Sequence, residues 1–534
     1  MKLEKISINN FRCFDQYDID FAKEFTILIG KNGVGKSTVI SAVKRALSFM
    51  FSKSSKQNGV VNQLSSSNSL NTLKFNPLDA RFDYNQIDYV FPINITAQAS
   101  FCHQTIEWAM LKSKMKGKIS SSMFTDALER FTQLRTDEDI WPILAYFSDS
   151  YPHQETSIMK EVSRILSSGK PVPRNFGYYQ WNNYTSCANL WQQKFINSWY
   201  KYQDAKQSFE IYTKNVTSNI EYKNIIDENF FKSDPAEMEA IHNKLQTIEE
   251  GAFKFDPAKM EAILNRLQTI EEGAFKFDPA KMEAISSKFM EAISSKFNDY
   301  NTIRINIINE FNYIKNILFA FFNIGGHDNE IELLDIDVER RSDKEKYMQF
   351  TFKDGRKVIF EELPAGYKRL VSMVLDIAYR SFILTKGERT KETGIVLIDE
   401  IDLHLHPSLE QNVVQRFKHA FPNIQFIVTT HSALVISNFQ QDENNKVIRL
   451  SFDDNKYEST VLDSVYGLDY NTSVSAIMGT PMRNTTVEYL KEAYIRLIRR
   501  GKEEQAEEAL AKLKEELKGA FPEIEEEIKK RLSE

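Results

Sequence analysis

Nine consecutive residues, Gly30-Lys31-Asn32-Gly33-Val34-Gly35-Lys36-Ser37-Thr38, fit the pattern G-x-x-x-x-G-K-[ST] and leave few folds open to this 534-residue chain. The apolar, β-rich run Phe25–Ile29 precedes them and would feed a glycine turn into a helix from Ser37 to about Phe49. A strand, loop and helix in that order aim successive backbone N–H groups and a helix N-terminus at one anion. The loop from Gly30 through Asn32, Gly33 and Gly35 to Thr38 is therefore expected to cradle a polyphosphate. Lys36 would reach its β- and γ-phosphates, and the Ser37 hydroxyl would ligate Mg²⁺.

A matching half-site lies far downstream. The continuous apolar run Gly394–Ile398 reads as a strand buried on both faces of a parallel sheet, and it ends in Asp399-Glu400. Ligand-facing residues sit at the carboxyl ends of such strands. Asp399 would hold the magnesium through water, and Glu400 would polarise the attacking water. Acidic pairs at strand ends also occur as solvated or helix-capping residues; a P-loop elsewhere in the chain favours the metal and base roles. The next strand, Ile424–Thr430, ends in His431, which is expected to contact the γ-phosphate. The pair of half-sites implies an ATPase using ATP and Mg²⁺.

These residues resemble a family. Asp399-Glu400-Ile401-Asp402-Leu403-His404-Leu405-His406-Pro407, Thr429-Thr430-His431-Ser432 and Leu363-Pro364-Ala365-Gly366-Tyr367-Lys368-Arg369 are similar to the Walker B, switch-histidine and signature segments of ABC-type ATPases related to SMC proteins and RecF. The opening Ile8-Asn9-Asn10-Phe11-Arg12-Cys13-Phe14 is similar to their first strand. Within that group the likeness narrows to AAA family ATPase subunits of Septu-type and retron-associated anti-phage systems, the PtuA family. It covers roughly the first hundred and the last two hundred residues.

The resemblance implies an α/β fold, an ABC-type P-loop ATPase head with a helical insertion and a C-terminal helical region. It also implies a head-to-tail homodimer or higher oligomer with two ATP molecules at its interface, each completed by the partner's signature loop around Gly366. Arg12 would contact the nucleotide from the first strand. The chain departs from the pattern at Pro364-Ala365, where relatives carry Ser or Asp, which removes a hydroxyl or carboxylate contact. The glutamine of the usual Q-loop has no clear position; Gln86 and Gln98 are the candidates. Read from its own pattern, the signature segment follows a hairpin with an expected two-residue type I′ turn at Asp354-Gly355. It opens a helix striped by Leu370, Met373, Val374, Ile377 and Ala378.

Four units are expected: an N-terminal ATPase lobe at 1–105, a helical insertion at 106–324, a C-terminal ATPase lobe at 325–470 and a helical docking region at 471–534. In the first lobe, strands are expected at Leu3–Ile8, Phe25–Ile29 and about Ile87–Ala97, with a Ser/Asn-rich loop from Ser52 to Asn71. Pro142, Pro152, Pro171, Pro173, Pro235, Pro257 and Pro279 would break a long helical arm and favour a compact lobe. Inside it, Leu245–Ile263 recurs identically as Leu267–Ile285, an offset of 22. Such identity fits recent duplication; a partner-docking surface is the other reading. Near the C-terminus, Leu490, Tyr494, Leu497 and Ile498 are expected to share one apolar face, and Leu510, Leu513 and Leu517 another.

Cys13, Cys102 and Cys187 are scattered and odd in number, which suggests neither a disulfide framework nor a zinc site and points to the cytoplasm. No uninterrupted apolar run approaches membrane-spanning length. The net charge of −6 argues against a uniformly basic nucleic-acid binder but leaves room for a local DNA contact. His404 and His406 lie two apart after the acidic pair and are expected to be structural. No D-x-D on an apolar strand and no ββα-metal histidine set follows His431. The resemblance therefore implies that cutting belongs to a partner HNH nuclease, with reverse transcriptase and msDNA joining in retron assemblies. The alternatives are a RecF/SMC-like repair ATPase acting on DNA itself and a non-hydrolysing ATP-bound scaffold.

Overall fold

A computed structural model of the chain describes residues 1–52, 72–149, 172–182, 188–217, 306–324, 332–342, 345–477, 479, 484–517 and 521–533. The chain opens with the hairpin β1 (Lys2–Phe11) and β2 (Phe14–Asp20), then β3 (Phe25–Ile29) and α1 (Lys36–Leu47). A short hairpin of β4 (Phe82–Asp83) and β5 (Asp88–Tyr89) leads into β6 (Ile93–Phe101), β7 (Gln104–Lys112), α2 (Thr125–Asp137) and β8 (Ile143–Phe147). Helices α3 (Ala188–Thr217) and α4 (306–322) precede β9 (Leu333–Arg340), β10 (Lys346–Phe352) and β11 (Lys357–Ile359). Next come α5 (Ala365–Thr385), β12 (Gly394–Ile398), α6 (Pro407–Ala420), β13 (Ile424–Thr429) and α7 (Ala433–Ser437). The hairpin β14 (Asn445–Asp453) and β15 (Lys456–Val461) follows, and α8 (Thr485–Arg499), α9 (Glu503–Leu517) and α10 (Phe521–Ser533) close the chain.

The central sheet has the order β15-β14-β3-β13-β12-β8, all parallel except the edge strand β15. Every residue of β3, β8, β12 and β13 is buried, which is why these strands read as unbroken apolar runs. A second, antiparallel sheet has the order β2-β1-β6-β7. Helix α1 packs against β13 of the first sheet and against β1, β6 and β7 of the second. Trp108 of β7 ties the layers together, stacking on Phe49 at 4.3 Å and donating its indole N–H to the Ala46 carbonyl at 2.9 Å. The fold is α/β with a P-loop, as expected, and among the described residues no helix is long and apolar enough to cross a membrane.

Three local expectations change. The stretch expected to turn helical at 106 carries β7, whose Ile106, Trp108 and Met110 alternate inward, and then β8, which pairs in parallel with β12. Two strands of the ATPase sheets thus come from that range. The Asp354-Gly355 turn is not a two-residue type I′ turn: only Gly355 has positive φ, at 86°. The Gly355 N–H donates to Phe352 O and the Phe352 N–H to Arg356 O, both at 2.9 Å, which makes a three-residue loop with its glycine in the left-handed position. The third change is at the C-terminus, where Val487, Ile495, Leu513, Ile524 and Ile528 form a small separate core. Leu490, Tyr494 and Leu517 only flank it, and Lys491 is buried at its edge between Glu488 at 2.7 Å and Glu527 at 2.8 Å.

The tandem repeats, most of the Ser/Asn-rich stretch and the linker prolines Pro152, Pro171, Pro235, Pro257 and Pro279 lie outside the described residues. On either side of the repeats the helices are anchored to the head. Trp191 of α3 donates to Asp376 of α5 at 2.7 Å, and Arg416 of α6 donates to the Phe321 and Phe322 carbonyls at the end of α4 at 2.9 and 2.8 Å. A guanidinium there satisfies carbonyls that the last helical turn leaves without partners.

Candidate nucleotide site

The P-loop leaves β3 at Ile29 and enters α1 at Lys36, with Asn32, Gly33 and Ser37 exposed at its mouth. Gly35 caps α1 at φ 98°, and a Cβ there would come within 2.5 Å of the Phe14 ring, so both backbone and space demand glycine. The Lys36 ammonium donates to Gly30 O at 2.7 Å and to Lys31 O at 3.1 Å, which holds it across the loop. Burial lowers its proton affinity, opposed by the carboxylates of Asp399, Glu400 and Asp402.

Because β3, β13 and β12 are parallel neighbours, their carboxyl ends converge. Ser37 Oγ lies 3.2 Å from Asp399 Oδ1, although 362 residues separate the two. Thr429 Oγ1 donates to the same carboxylate oxygen at 2.6 Å and accepts the Glu400 N–H at 2.8 Å. Glu400 has a left-handed φ of 54°, a conformation that costs a non-glycine residue energy and is held here by its neighbours. Burial raises the Glu400 proton affinity, and Asp399, Asp402 and Asp149 raise it further. His431 is exposed beyond the end of β13, its proton affinity lowered by partial burial and then by Lys36. Thr430 Oγ1 donates to Asp402 at 2.5 Å and ties the segment after β13 to the turn after β12.

Sequence reasoning missed the side chain that holds this turn. Arg369 of α5 is fully buried and donates from Nη2 to the main-chain carbonyls of Asp399 and Glu400, each at 3.0 Å. Its Nη1 reaches the Ser148 and Asp149 carbonyls after β8 at 3.3 and 3.4 Å. Nothing in the local sequence indicated so long a reach. The residue stood in plain view three positions after Gly366.

Gly366 lies in the first turn of α5, one residue inside a helix that begins at Ala365. It is buried, and an added Cβ would stand 2.5 Å from the His404 carbonyl oxygen; Pro364 and Ala365 are the exposed residues at that helix end. The need for glycine thus has a cause within the chain. Gly366→Ala is expected to destabilise the fold by about 1–3 kcal/mol through overpacking against backbone. Alanine in an open helix would have the opposite sign by about 1 kcal/mol. Denaturant unfolding decides the sign, and a stabilised variant would remove this account of the position.

Arg12 occupies the β1–β2 turn at φ 54°, where its Nε donates to Asp79 Oδ1 at 3.0 Å. Arg45 of α1 holds the other oxygen of Asp79 at 2.6 Å. The adjoining Cys13 reaches the P-loop, its sulfur 3.2 Å from where a Cβ on Gly35 would stand. Neither glutamine candidate enters the site: Gln98 donates to Glu4 at 2.9 Å within the antiparallel sheet, and Gln86 is exposed in the β4–β5 turn. His406 caps α6, its ring accepting the Ser408 N–H at 3.4 Å, and among the described residues no cluster of His, Cys, Asp and Glu could hold a metal by itself.

The profile of the AAA ATPase domain family matches residues 1–436. The chain belongs to the AAA ATPase domain family. This AAA ATPase is 39% identical over 120 residues to the "Retron Vc95 probable ATPase" of Vibrio cholerae serotype O1 biovar El Tor, covering 22% of this chain and 23% of that protein. It is 51% identical over 76 residues to the "Retron Ec83 probable ATPase" of Escherichia coli, covering 14% of each. To the Septu protein PtuA of Bacillus mycoides (strain KBAB4) it is 45% identical over 74 residues, covering 14% of this chain and 10% of that protein. The matched stretches thus span less than a quarter of each of these relatives. Among solved structures, the AAA ATPase is similar to the Smc head domain with an extended coiled coil from Pyrococcus furiosus. That similarity has TM-score 0.40 and 14% identity over 86% of this chain and 96% of the other.

Proposed function

We propose that this AAA ATPase is the nucleotide-controlled regulatory subunit of an anti-phage defence complex, and that a partner HNH nuclease carries out the cutting. The observation that carries the nucleotide part is the 3.2 Å approach of Ser37 Oγ to Asp399 Oδ1, with Glu400 and His431 following the carboxyl ends of the neighbouring strands β12 and β13. The defence part is supported by the relatives, which are named as retron ATPases and Septu PtuA.

In this reading, the backbone of Gly30, Asn32, Gly33, Gly35 and Thr38 wraps the phosphates, and Lys36 neutralises the β- and γ-phosphate oxygens. A hydroxyl beside a carboxylate is a hard oxygen pair suited to magnesium, which usually keeps several waters and takes few protein ligands. Ser37 and Asp399 would hold the ion, and its chemistry is to neutralise charge developing on the phosphates. Glu400, with its raised proton affinity, orients and polarises the attacking water, and His431 contacts the γ-phosphate. Arg12 would contact the nucleotide from the end of the first strand. The exposed first turn of α5, Pro364 and Ala365 with Gly366 behind them, is the surface offered to nucleotide on a second protomer. ATP would bias the dimer only through its different affinity for two arrangements. A reverse transcriptase and msDNA would join a retron version of the assembly.

The test is co-expression with the neighbouring open reading frames. An HNH protein is expected to co-elute with this chain, and its nuclease activity should differ between ATP-bound and ADP-bound states. Failure of any HNH protein to associate, together with tight DNA binding by the chain alone, would replace this reading with a repair ATPase acting on DNA directly.

A further inference from the structure

Sheet order gives the nucleotide a direction. Strands β13 and β12, with Asp399, Glu400 and His431, flank β3 on one side, and β14 with β15 flanks it on the other. A triphosphate whose γ end faces Glu400 and His431 therefore directs its nucleoside toward the β14–β15 hairpin. That hairpin is built to meet it. Arg449 pairs with Ile29, the last residue of β3, so Leu450–Asp453 continue past the start of the P-loop before Asp454-Asn455 turn the chain back.

Phe452 and Tyr457 are opposite each other across the hairpin, with ring centroids 4.6 Å apart. On its other side Tyr457 meets Phe14 edge-on at 5.1 Å, and Phe14 is the ring against Gly35 of the P-loop. The Cys13 sulfur, next in the chain to Phe14, stands against the same glycine, 3.2 Å from where its Cβ would be. Phe452 completes this aromatic line from the P-loop outward. It is 48% exposed, and it is the one phenylalanine among the exposed large apolar side chains of the described residues.

We propose that Phe452, backed by Tyr457, is the stacking wall for the adenine base of bound ATP. Its ring offers a flat apolar face where the nucleoside must leave the phosphate cradle. Stacking of this kind favours a base over water without reading base edges, because every base has a π-face. The wall would therefore add affinity for nucleoside triphosphates over a bare polyphosphate and discriminate weakly between ATP and GTP.

The proposal rests on phosphates occupying the P-loop, and tripolyphosphate separates the two claims. Wild-type protein is expected to bind ATP and tripolyphosphate, both lost in Lys36→Ala. Phe452→Ala is expected to weaken ATP by roughly 5- to 100-fold and to leave tripolyphosphate affinity unchanged. Phe452→Trp should keep ATP affinity and gain an indole fluorescence that ATP quenches and tripolyphosphate does not. Unchanged ATP affinity in Phe452→Ala would overturn the wall, as would an equal loss of both ligands or a tryptophan signal blind to ATP. Tripolyphosphate binding that survives Lys36→Ala would overturn the phosphate site, and the base wall with it.

Discussion

Glu400→Gln is expected to lower ATP turnover by about 100- to 10,000-fold, the usual contribution of a positioned general base, while ATP affinity stays within a few-fold of wild type. The amide keeps the volume of the carboxylate and its place at φ 54°, so the turn after β12 should hold. What it loses is the ability to take up a proton from water. Asp399, which lies nearer the phosphate cradle through Ser37 Oγ, is untouched. The measurement is a single-turnover assay of phosphate release beside an equilibrium ATP titration. Release at the wild-type rate would remove Glu400 from the chemistry; loss of binding together with release would make it a structural or metal-holding residue.

Arg369→Met should produce the next largest effect. Methionine fills similar apolar space but leaves the carbonyls of Asp399, Glu400, Ser148 and Asp149 without the guanidinium donors that now hold them. A buried acceptor stripped of its donor costs about 1–3 kcal/mol, so the melting temperature should fall. Turnover should fall further than stability explains, on the order of 100-fold, because about 1 Å of misplacement at a catalytic group has that effect. Arg369→Lys retains the charge but not the fork that spans two pairs of carbonyls. It is expected to recover stability more than turnover. Variants whose kcat tracks their melting temperature alone would reduce Arg369 to a packing residue, and a rise in the KM for ATP at constant kcat would assign it to binding.

The parts of the head that were legible in the sequence share one physical property. β3 and β12 occupy the expected residues, Phe25–Ile29 and Gly394–Ile398, because strands buried on both faces leave uninterrupted apolar runs. β13 ends at Thr429, one residue short of the expectation. β8 has the same unbroken character in Ile143–Phe147, yet it stands in a stretch of aromatic, helix-like composition, and a five-residue apolar run does not by itself separate strand from buried helix. The Arg369 bridge was illegible for another reason. Its partners are main-chain carbonyls, which carry no residue identity for a sequence to display. At the C-terminus the apolar stripe was placed about one helical position away because Lys491, a charged residue, occupies the buried side between two glutamates.

The position of β3 between β13 and β14 has a consequence for how the protein is made. Phe25–Ile29 leave the ribosome early, but both of the strands that pair with them lie between Ile424 and Asp453. At about 5–20 residues per second, the P-loop strand waits roughly 20–80 s for its neighbours. Through that interval the first half of the chain holds a phosphate loop with no parallel sheet behind it and four apolar residues, Phe25, Ile27, Leu28 and Ile29, in need of cover. Nucleotide binding by this architecture therefore awaits synthesis of β13 and β14, and a copy that stops before Ile424 lacks the sheet on which the P-loop is built.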